Sequence, residues 1–165
     1  MQWRQDSATE ILQSSSLSLA SEADLRRQFG AREPGAPSDR CAFAVESLPE
    51  PSEPSHLLGF VTLNGISAQH RSATFAIALD PSAGGHGYGT DATRLMVRYG
   101  FRELGLHRVQ LEAWAFNERA LRTYRKAGFV EEGRRRDAVF HDGRWHDEVL
   151  MGALASDPGW LDPID

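Results

Sequence analysis

The sequence has a single cysteine, Cys41, so no internal disulfide can form. The residue lies in an apolar run, and we expect a structural thiol in a reducing, cytoplasmic setting. Long hydrophobic stretches are also missing: no run approaches the ~20 apolar residues of a membrane span, and the first residues have no apolar signal-peptide core. Basic residues are in deficit, with a net charge of −5, which argues against a nucleic-acid partner.

At 165 residues the chain can form one domain with a sizeable core. We predict a single domain over residues 1–155 and a C-terminal tail at 156–165. Residues 1–37 are predicted as a helical hairpin, and residues 49–54, with three prolines, as a loop. The second and third strands are predicted to join through Asn64-Gly65 and the polar run 68–72. Strands are predicted at 41–47, 57–63, 73–79, 106–115, 132–140 and 145–154, and helices at 88–104 and 118–127.

The segment 80–91 contains four glycines between a predicted strand and a predicted helix, at 84, 85, 87 and 89. The first turn of a helix has unpaired N–H groups and a partial positive charge, so an anion can bind there. Glycine lets the backbone approach that anion closely and adopt a positive φ. This pattern indicates a phosphate-bearing ligand.

Three kinds of phosphate loop compete for this segment. A Walker loop ends in Gly-Lys-Ser/Thr, whereas Gly89 is followed by Thr90-Asp91, with no lysine. The spacing of Gly85, Gly87 and Gly89 does not fit the dinucleotide pattern G-x-G-x-x-G. The third pattern is the acyl-coenzyme A loop, Gln/Arg-x-x-Gly-x-Gly/Ala, which residues 84–89 match except at the first position, Gly84.

A second motif follows the strand at 106–115. Asn117 is positioned to cap a helix over 118–127, and Gly128 to end it. The order strand, glycine loop, helix, strand, Asn-x-x-Ala-x-x-x-Tyr-x-Lys-x-Gly-Phe resembles the GNAT superfamily of acyl-CoA N-acyltransferases. Within it, the segments 88–93, 99–109 and 140–147 resemble the RimJ/RimL-type branch, which also holds spermidine acetyltransferases. The likeness covers about residues 41–154.

The resemblance implies an α/β fold with a single mixed central sheet flanked by helices. It also implies a V-shaped splay between the two central strands, which end at Leu79 and near Ala115. Family members usually open with a strand before the first helices, and that strand is missing from the predicted elements here. Either the sequence starts late or the sheet edge is bare. A bare sheet edge favours pairing with another chain, so we expect a homodimer.

The resemblance also implies how acetyl-CoA, as the acyl donor, would be held. The pyrophosphate would bind the loop amides of Gly85, His86, Gly87, Tyr88, Gly89 and Thr90. Backbone groups of Ile77 and Leu79 would pair with the pantetheine arm as an extra strand, and Asn117 would hydrogen-bond that arm. Tyr124 would lie near the sulfur as the general acid, since a phenol of pKa ~10 is protonated at neutral pH. The alternatives are a simple N-cap for Asn117 and a core aromatic for Tyr124.

The general base is the weak part of the pattern. Many relatives have a glutamate in the central strand where this chain has Thr74, and Glu112 on the facing strand is the best substitute. A solvated surface acid is the alternative for Glu112. Since an α-amine of pKa ~8 is about a tenth neutral at pH 7 and a lysine amine less than a thousandth, a site without a base favours weakly basic amines. At the loop, Gly84 has no side chain to bind the phosphates; His86 could partly take that role when protonated, or be a loop histidine without a role.

We predict no metal site, because His141 and His146-Asp147 flank a hairpin turn and need not converge. The predicted function is acetyl transfer from acetyl-CoA to a primary amine of a small molecule or a protein N-terminus. Direct attack in a ternary complex is favoured, since no cysteine in the motif region could carry an acyl group. The alternatives are an acyl-CoA-binding protein with little or no turnover and an enzyme acting on an aminoglycoside.

Overall fold

The structure is a computed structural model of the chain, and it describes residues 39–48 and 55–162. All of these residues lie in one compact unit, Asp39–Asp165. The helical hairpin predicted at 1–37 and the proline loop predicted at 49–54 fall outside the described residues. The single domain over residues 1–155 therefore stays a prediction.

Strands and helices follow one another in the described residues much as the apolar pattern predicts. The strands are β1 (Cys41–Glu46), β2 (Leu57–Ser67), β3 (Ser72–Leu79), β4 (Arg108–Trp114), β5 (Val130–His141) and β6 (Arg144–Leu154). The helices are α1 (Tyr88–Arg102) and α2 (Glu118–Ala127), and a single 3-10 turn (Pro81–Ala83) lies between β3 and α1.

The strands form one six-stranded sheet in the order β1-β2-β3-β4-β6-β5. Neighbours are antiparallel except for β3 and β4, which are parallel and are joined by the crossover through α1. The predicted single mixed α/β sheet is thus confirmed.

The parallel pairing of β3 with β4 is short. Its register covers three pairs, from Ser72↔Arg108 to Thr74↔Gln110, although β3 continues to Leu79 and β4 to Trp114. On their other edges the same strands are paired along their lengths, β3 with β2 and β4 with β6. The two central strands therefore separate beyond Thr74, as the predicted splay requires.

The predicted connection at Asn64-Gly65 is wrong. β2 runs through both residues to Ser67, and the chain turns only at residues 68–71. Gly65 has φ +58, and the β2–β3 register shifts between Asn64 and Ser67. The glycine thus forms a bulge inside a continuing strand rather than a hairpin turn, because β2 pairs with β3 both before it, at Asn64, and after it, at Ser67.

Both helices pack on one face of the sheet around a single hydrophobic core. Met96 and Val97 of α1 and Leu121 of α2 are almost fully buried against strand residues such as Val109 and Met151. Neither described helix combines the length and apolar character needed to cross a bilayer.

The C-terminal segment returns to this core through Trp160, which is 3% exposed. Its ring packs edge-on against Phe101 of α1 and against Phe129, with centroid distances of 5.8 and 6.0 Å. It also covers Gly128, the left-handed residue (φ +119) that ends α2. The segment at 156–162, predicted as a tail, is therefore anchored to the end of α2.

Candidate active site

The loop between β3 and α1 is shaped by its own side chains before it reaches the glycines. Asp80 accepts hydrogen bonds from the hydroxyl of Ser82 at 2.6 Å and from its amide at 2.8 Å. These bonds lower the pKa of the Asp80 carboxyl, the hydroxyl contributing most and the amide next. The resulting 3-10 turn closes with the amide of Gly84 donating to Pro81 O at 3.2 Å.

Beyond this turn the backbone presents a run of unused donors. Gly85 and Gly87 both have φ +87, and Gly87 is the left-handed N-cap of α1 without a capping side chain. Within the described part of the chain, the five amides of residues 85–89 donate to no protein acceptor. The amides of Thr90 and Asp91, in contrast, donate to Gly87 O at 2.9 and 3.1 Å. With respect to the described residues, the loop therefore has free donors from 85 to 89, and the amide of Thr90 belongs to the helix.

The loop, the end of β3 and α2 meet at Gly89. A Cβ placed on this glycine would be 3.4 Å from Thr123 Cγ2 and 3.5 Å from Leu79 Cδ1. These are ordinary contact distances, so Gly89 is closely packed between the two neighbours. The free amides are thereby brought beside the strand end where β3 and β4 separate and beside the helix that contains Tyr124.

Asn117 occupies the N-cap of α2, as its motif predicts. Its Oδ1 accepts a hydrogen bond from the amide of Ala120 at 3.1 Å, and its own amide donates to Trp114 O at 2.9 Å. The residue therefore connects the end of β4 to the first turn of α2 and satisfies one of the orphan donors of that helix.

Tyr124 lies two turns along α2 and is 9% exposed. Its ring packs edge-on against Phe75 of β3 and Phe129, with centroid distances of 6.2 and 6.1 Å. Burial raises the pKa of Tyr124 to about 12, since the phenolate would lose its hydration. The hydroxyl hydrogen-bonds to no described residue.

Glu112 points to the other face of the sheet. Its β4 neighbours Leu111 and Ala113 are buried in the core that includes Tyr124, whereas Glu112 is exposed. Its carboxylate is 2.8 Å from Nη1 of Arg135, which also lies 2.5 Å from Glu148. The pKa of Arg135 is raised by these two carboxylates, Glu148 first. The structure thus separates Glu112 from Tyr124 by the thickness of the sheet, and its role as base stays a prediction.

The other predicted positions fall at the edges of this site. Ile77 and Leu79 lie on the part of β3 that has left the β4 register, paired on the β2 side with Val61 and Gly59. His86 is exposed, and its ring lies 5.9 Å from that of Tyr88. Thr74 is at the last residue pair with β4, and its hydroxyl cannot act as a base at neutral pH.

Sequence reasoning missed one residue beside the loop, Arg119. Its guanidinium lies against the backbone of Gly84, where an added Cβ would be 2.7 Å from both Cζ and Nη1. Two signals were available, a cation two residues after the Asn117 cap and a glycine at the first loop position. Only the packing of α2 on the loop brings them together.

In the described residues no group of three or more His, Cys, Asp or Glu side chains could hold a metal ion. His141 stacks on Phe116 and His146 packs edge-on against it, each with a centroid distance of 4.8 Å, and Nε2 of His146 is 3.2 Å from His141 O. These hairpin histidines therefore belong to an aromatic cluster at the end of β4.

Residues 1–130 match the family model described as Acetyltransferase (GNAT) domain. This chain belongs to the GNAT acetyltransferase family. The glycine loop before α1 and the Asn117–Phe129 segment that carried the resemblance both lie within the matched residues.

Curated relatives of this GNAT chain include spermidine N(1)-acetyltransferases. That of Vibrio cholerae is 36% identical over 101 residues, which are 61% of this chain and 58% of the relative. That of Escherichia coli K12 is 37% identical over 93 residues, 56% of this chain and 50% of the relative. The chain thus spans about half the length of the curated relatives it matches.

Among solved structures, the chain is similar to the spermidine N-acetyltransferase from Vibrio cholerae in complex with CoA and spermine. The TM-score is 0.75 at 25% identity, and the match covers 94% of this chain and 87% of that one. A chimera of the Vibrio cholerae enzyme is 31% identical with a TM-score of 0.61, covering 72% of this chain and 69% of that one. The sheet and helices described above are therefore those of a GNAT fold.

Proposed function

We propose that this GNAT protein is an N-acetyltransferase that moves the acetyl group of acetyl-CoA to a primary amine. The observation that carries the proposal is the row of amides at residues 85–89, which donate to no acceptor in residues 39–48 and 55–162 and lie beside the separated ends of β3 and β4. A run of backbone donors at a helix start suits a diphosphate. The family match and the CoA complex of a similar protein point to the same ligand.

The geometry of the loop suits a coenzyme. A Cβ on Gly85 would meet nothing within 4 Å, so there is open space directly above the free amides. Because they are glycines, Gly85 and Gly87 adopt their left-handed conformation without steric strain. In this proposal residues 85–89 hold the diphosphate, Thr90 contributes through its hydroxyl, and Ile77, Leu79 and Asn117 contact the pantetheine arm.

Transfer is proposed to occur by direct attack with both substrates bound. The amine nitrogen forms a bond to the acetyl carbon, the thioester C–S bond breaks, the nitrogen loses a proton and the sulfur gains one. The only cysteine, Cys41, is on the edge strand β1 and hydrogen-bonds with Tyr99, and burial raises the pKa of its thiol. An acyl-cysteine intermediate is therefore disfavoured.

Tyr124 would assist the departing sulfur. With a pKa of about 12 it is protonated at every pH at which the enzyme would work. A thiol has a pKa of ~8.5, so full proton transfer from this phenol to a thiolate is uphill by about 3.5 pKa units. We therefore assign Tyr124 as a hydrogen-bond donor to the developing thiolate, with proton transfer completed as the bond breaks.

The acceptor is proposed to be a primary amine that reaches the site largely unaided by a protein base. Glu112 is tied to Arg135 and faces away from Tyr124, and Thr74 cannot replace a carboxylate. Without a base, kcat/KM for spermidine, whose primary amines are lysine-like, should rise about tenfold per pH unit from 7 to 9. For an α-amine it should level off near pH 8.

The lack of a base at Glu112 and Thr74 also favours a second candidate function, an acyl-CoA-binding protein with little turnover. Release of free thiol from acetyl-CoA separates the candidates, with spermidine, spermine and a short peptide with a free N-terminus as acceptors. Release on any of them supports the transferase. Binding of coenzyme A in a calorimeter without release on all three supports the binding protein.

A pair of matched glycine variants ties the activity to the loop. Gly85 and Gly143 both have positive φ (+87 and +74) and open space at the Cβ position, but Gly143 is in the β5–β6 turn. Alanine at either position adds similar backbone strain, about 1–2 kcal/mol. Gly85→Ala should weaken coenzyme A binding at least tenfold while Gly143→Ala leaves it unchanged. Equal binding by both would contradict the loop assignment.

The branch of the family and the oligomeric state are also proposed. The RimJ/RimL-type branch is favoured by segments 88–93, 99–109 and 140–147, and acetylation of peptide N-termini in preference to polyamines would support it. A homodimer is favoured because β1 is an edge strand of the described sheet, with Phe43 46% exposed on it. Light scattering on the protein as it elutes from a size-exclusion column measures the mass of the particle and so tests the homodimer directly.

A further inference from the structure

The first glycine of the loop differs from those that follow it. Gly85 and Gly87 have φ +87, which an L side chain adopts only with strain. Gly84 has φ −72 and ψ 144, an extended conformation open to any residue. Backbone conformation therefore does not require glycine at position 84.

Space at this position is limited by Arg119 instead. A Cβ on Gly84 would be 2.7 Å from Cζ and Nη1 of the guanidinium, closer than real Cβ contacts allow. The arginine thus lies directly on the bare backbone of the loop. Glycine at 84 lets this cation approach, and a larger residue would displace it.

The guanidinium is not engaged by any other residue that the structure describes. Across residues 39–48 and 55–162 the Arg119 side chain makes no ion pair or hydrogen bond. Its neighbour Glu118 is paired with Arg122 at 4.0 Å, one helical turn away. Among the described residues, a guanidinium without an ion pair thus lies against a loop whose amides have no acceptor, and this arrangement favours an anion.

The fold fixes the position of Arg119 relative to the amides. It is the second residue of α2, two residues after the Asn117 cap, and its carbonyl accepts from the hydroxyl of Thr123 at 3.0 Å. Thr123 in turn contacts Gly89 on α1. The loop also has an acid, Asp91, in the first turn of α1. A nearby cation offsets this charge and makes the loop suitable for an anion.

We propose that Arg119, lying over Gly84, binds the diphosphate of the acyl-CoA substrate together with the amides of residues 85–89. This assignment rests on the proposed function. Gly84 has no side chain to contact the phosphates. In this proposal Arg119 of α2 provides the charged contact instead. The planar fork of arginine can donate two N–H bonds to phosphate oxygens, whereas an amide donates one.

The test compares Arg119→Met with Arg136→Met in titration calorimetry. Both residues are exposed arginines, and Arg136, on β5, has no ion pair or hydrogen bond to any described residue. The probes are coenzyme A and dephospho-coenzyme A, which share the diphosphate and differ in the ribose 3′-phosphate. We expect Arg119→Met to bind both probes about tenfold more weakly and Arg136→Met to bind both as the parent does.

Three results would overturn the assignment. Unchanged binding by Arg119→Met excludes a contact. A loss confined to coenzyme A moves the contact to the 3′-phosphate, and an equal loss in Arg136→Met shows a general effect of charge. If the parent protein binds neither probe, the proposed function itself fails, and this result is distinct from the other three.

A second variant tests whether a side chain at position 84 can replace Arg119 in the phosphate contact, an exchange of one position for the other. Gly84→Gln places a donor on the loop, which the extended backbone permits. Combined with Arg119→Met it should recover part of the affinity, whereas alone it should displace Arg119 and give no gain. Equal weakening by Gly84→Gln in both backgrounds would refute the exchange. Thermal unfolding midpoints should stay within a few degrees of the parent for Arg119→Met, since the side chain is exposed.

Discussion

Replacing Tyr124 by phenylalanine should lower activity without lowering stability. The ring contacts with Phe75 and Phe129 at 6.2 and 6.1 Å are kept in the variant. The hydroxyl bonds to no described residue, so its removal should change the free energy of unfolding at pH 7 by no more than about 0.5 kcal/mol. If the hydroxyl donates to the departing sulfur, kcat should fall about 100-fold, the low end for general acids.

The same substitution has a signature in the pH dependence of stability. The pKa of Tyr124 rises from 10.0 in the unfolded chain to about 12 in the folded protein. This contribution is fully present below pH 10 and is lost as the pH rises through 12, because the unfolded chain ionises first. Its full size is about 3 kcal/mol, and about 1.4 kcal/mol of it is lost by pH 11. Urea unfolding at pH 8 and pH 11 should show this loss in the parent relative to the phenylalanine variant.

Tyr99→Phe is the matched control, since the Tyr99 hydroxyl is hydrogen-bonded to Cys41. This change should cost about 0.5–1 kcal/mol of stability and leave kcat unaltered, the opposite of the pattern at Tyr124. The reasoning is refuted if Tyr124→Phe keeps kcat within about threefold of the parent. Loss of stability and activity together would assign the hydroxyl a structural bond instead.

Three further predictions address the cap, the C-terminal anchor and the base. Asn117→Ala should lose about 1 kcal/mol of stability with the bond to the amide of Ala120. Asn117→Asp keeps the cap acceptor but replaces the side-chain N–H donor by a charged oxygen, so it should raise KM for acetyl-CoA; an unchanged KM would make Asn117 a cap alone. Trp160→Ala should cost about 3–5 kcal/mol by chemical unfolding, whereas Trp145→Ala, at a side chain 60% exposed rather than 3%, should cost under about 1. Glu112→Gln should leave the pH–rate profile unchanged, and a displaced optimum would identify a carboxylate base.

The elements best predicted from the sequence were those with local chemical causes. The ends of α2 follow from an amide side chain at Asn117 and a left-handed glycine at Gly128, and both caps are confirmed. The glycine loop was likewise placed correctly between β3 and α1. In each case the deciding interaction lies within a few residues of the signal.

Features that depend on distant pairing could not be predicted in the same way. Asn64-Gly65 has the composition of a turn, yet the pairing of β2 with β3 before and after Gly65 makes it a bulge in a longer strand. The contact of Arg119 with Gly84 joins positions 35 residues apart and exists only once α2 packs on the loop. Glu112 could be assigned to β4 from the sequence, but its ion pair with Arg135 depends on the strand order across the sheet.

The short seam between Ser72–Thr74 and Arg108–Gln110 has a mechanical consequence. It joins two three-stranded half-sheets, β1-β2-β3 and β4-β6-β5, at one end only. A ligand bound between the separated strand ends would bond to both half-sheets. It would thereby restrict their motion relative to each other. Occupancy at 100 times Kd adds about 2.7 kcal/mol to stability. On ligand binding, amide hydrogen exchange should therefore slow most at the separated ends of β3 and β4 and least in the outer strands.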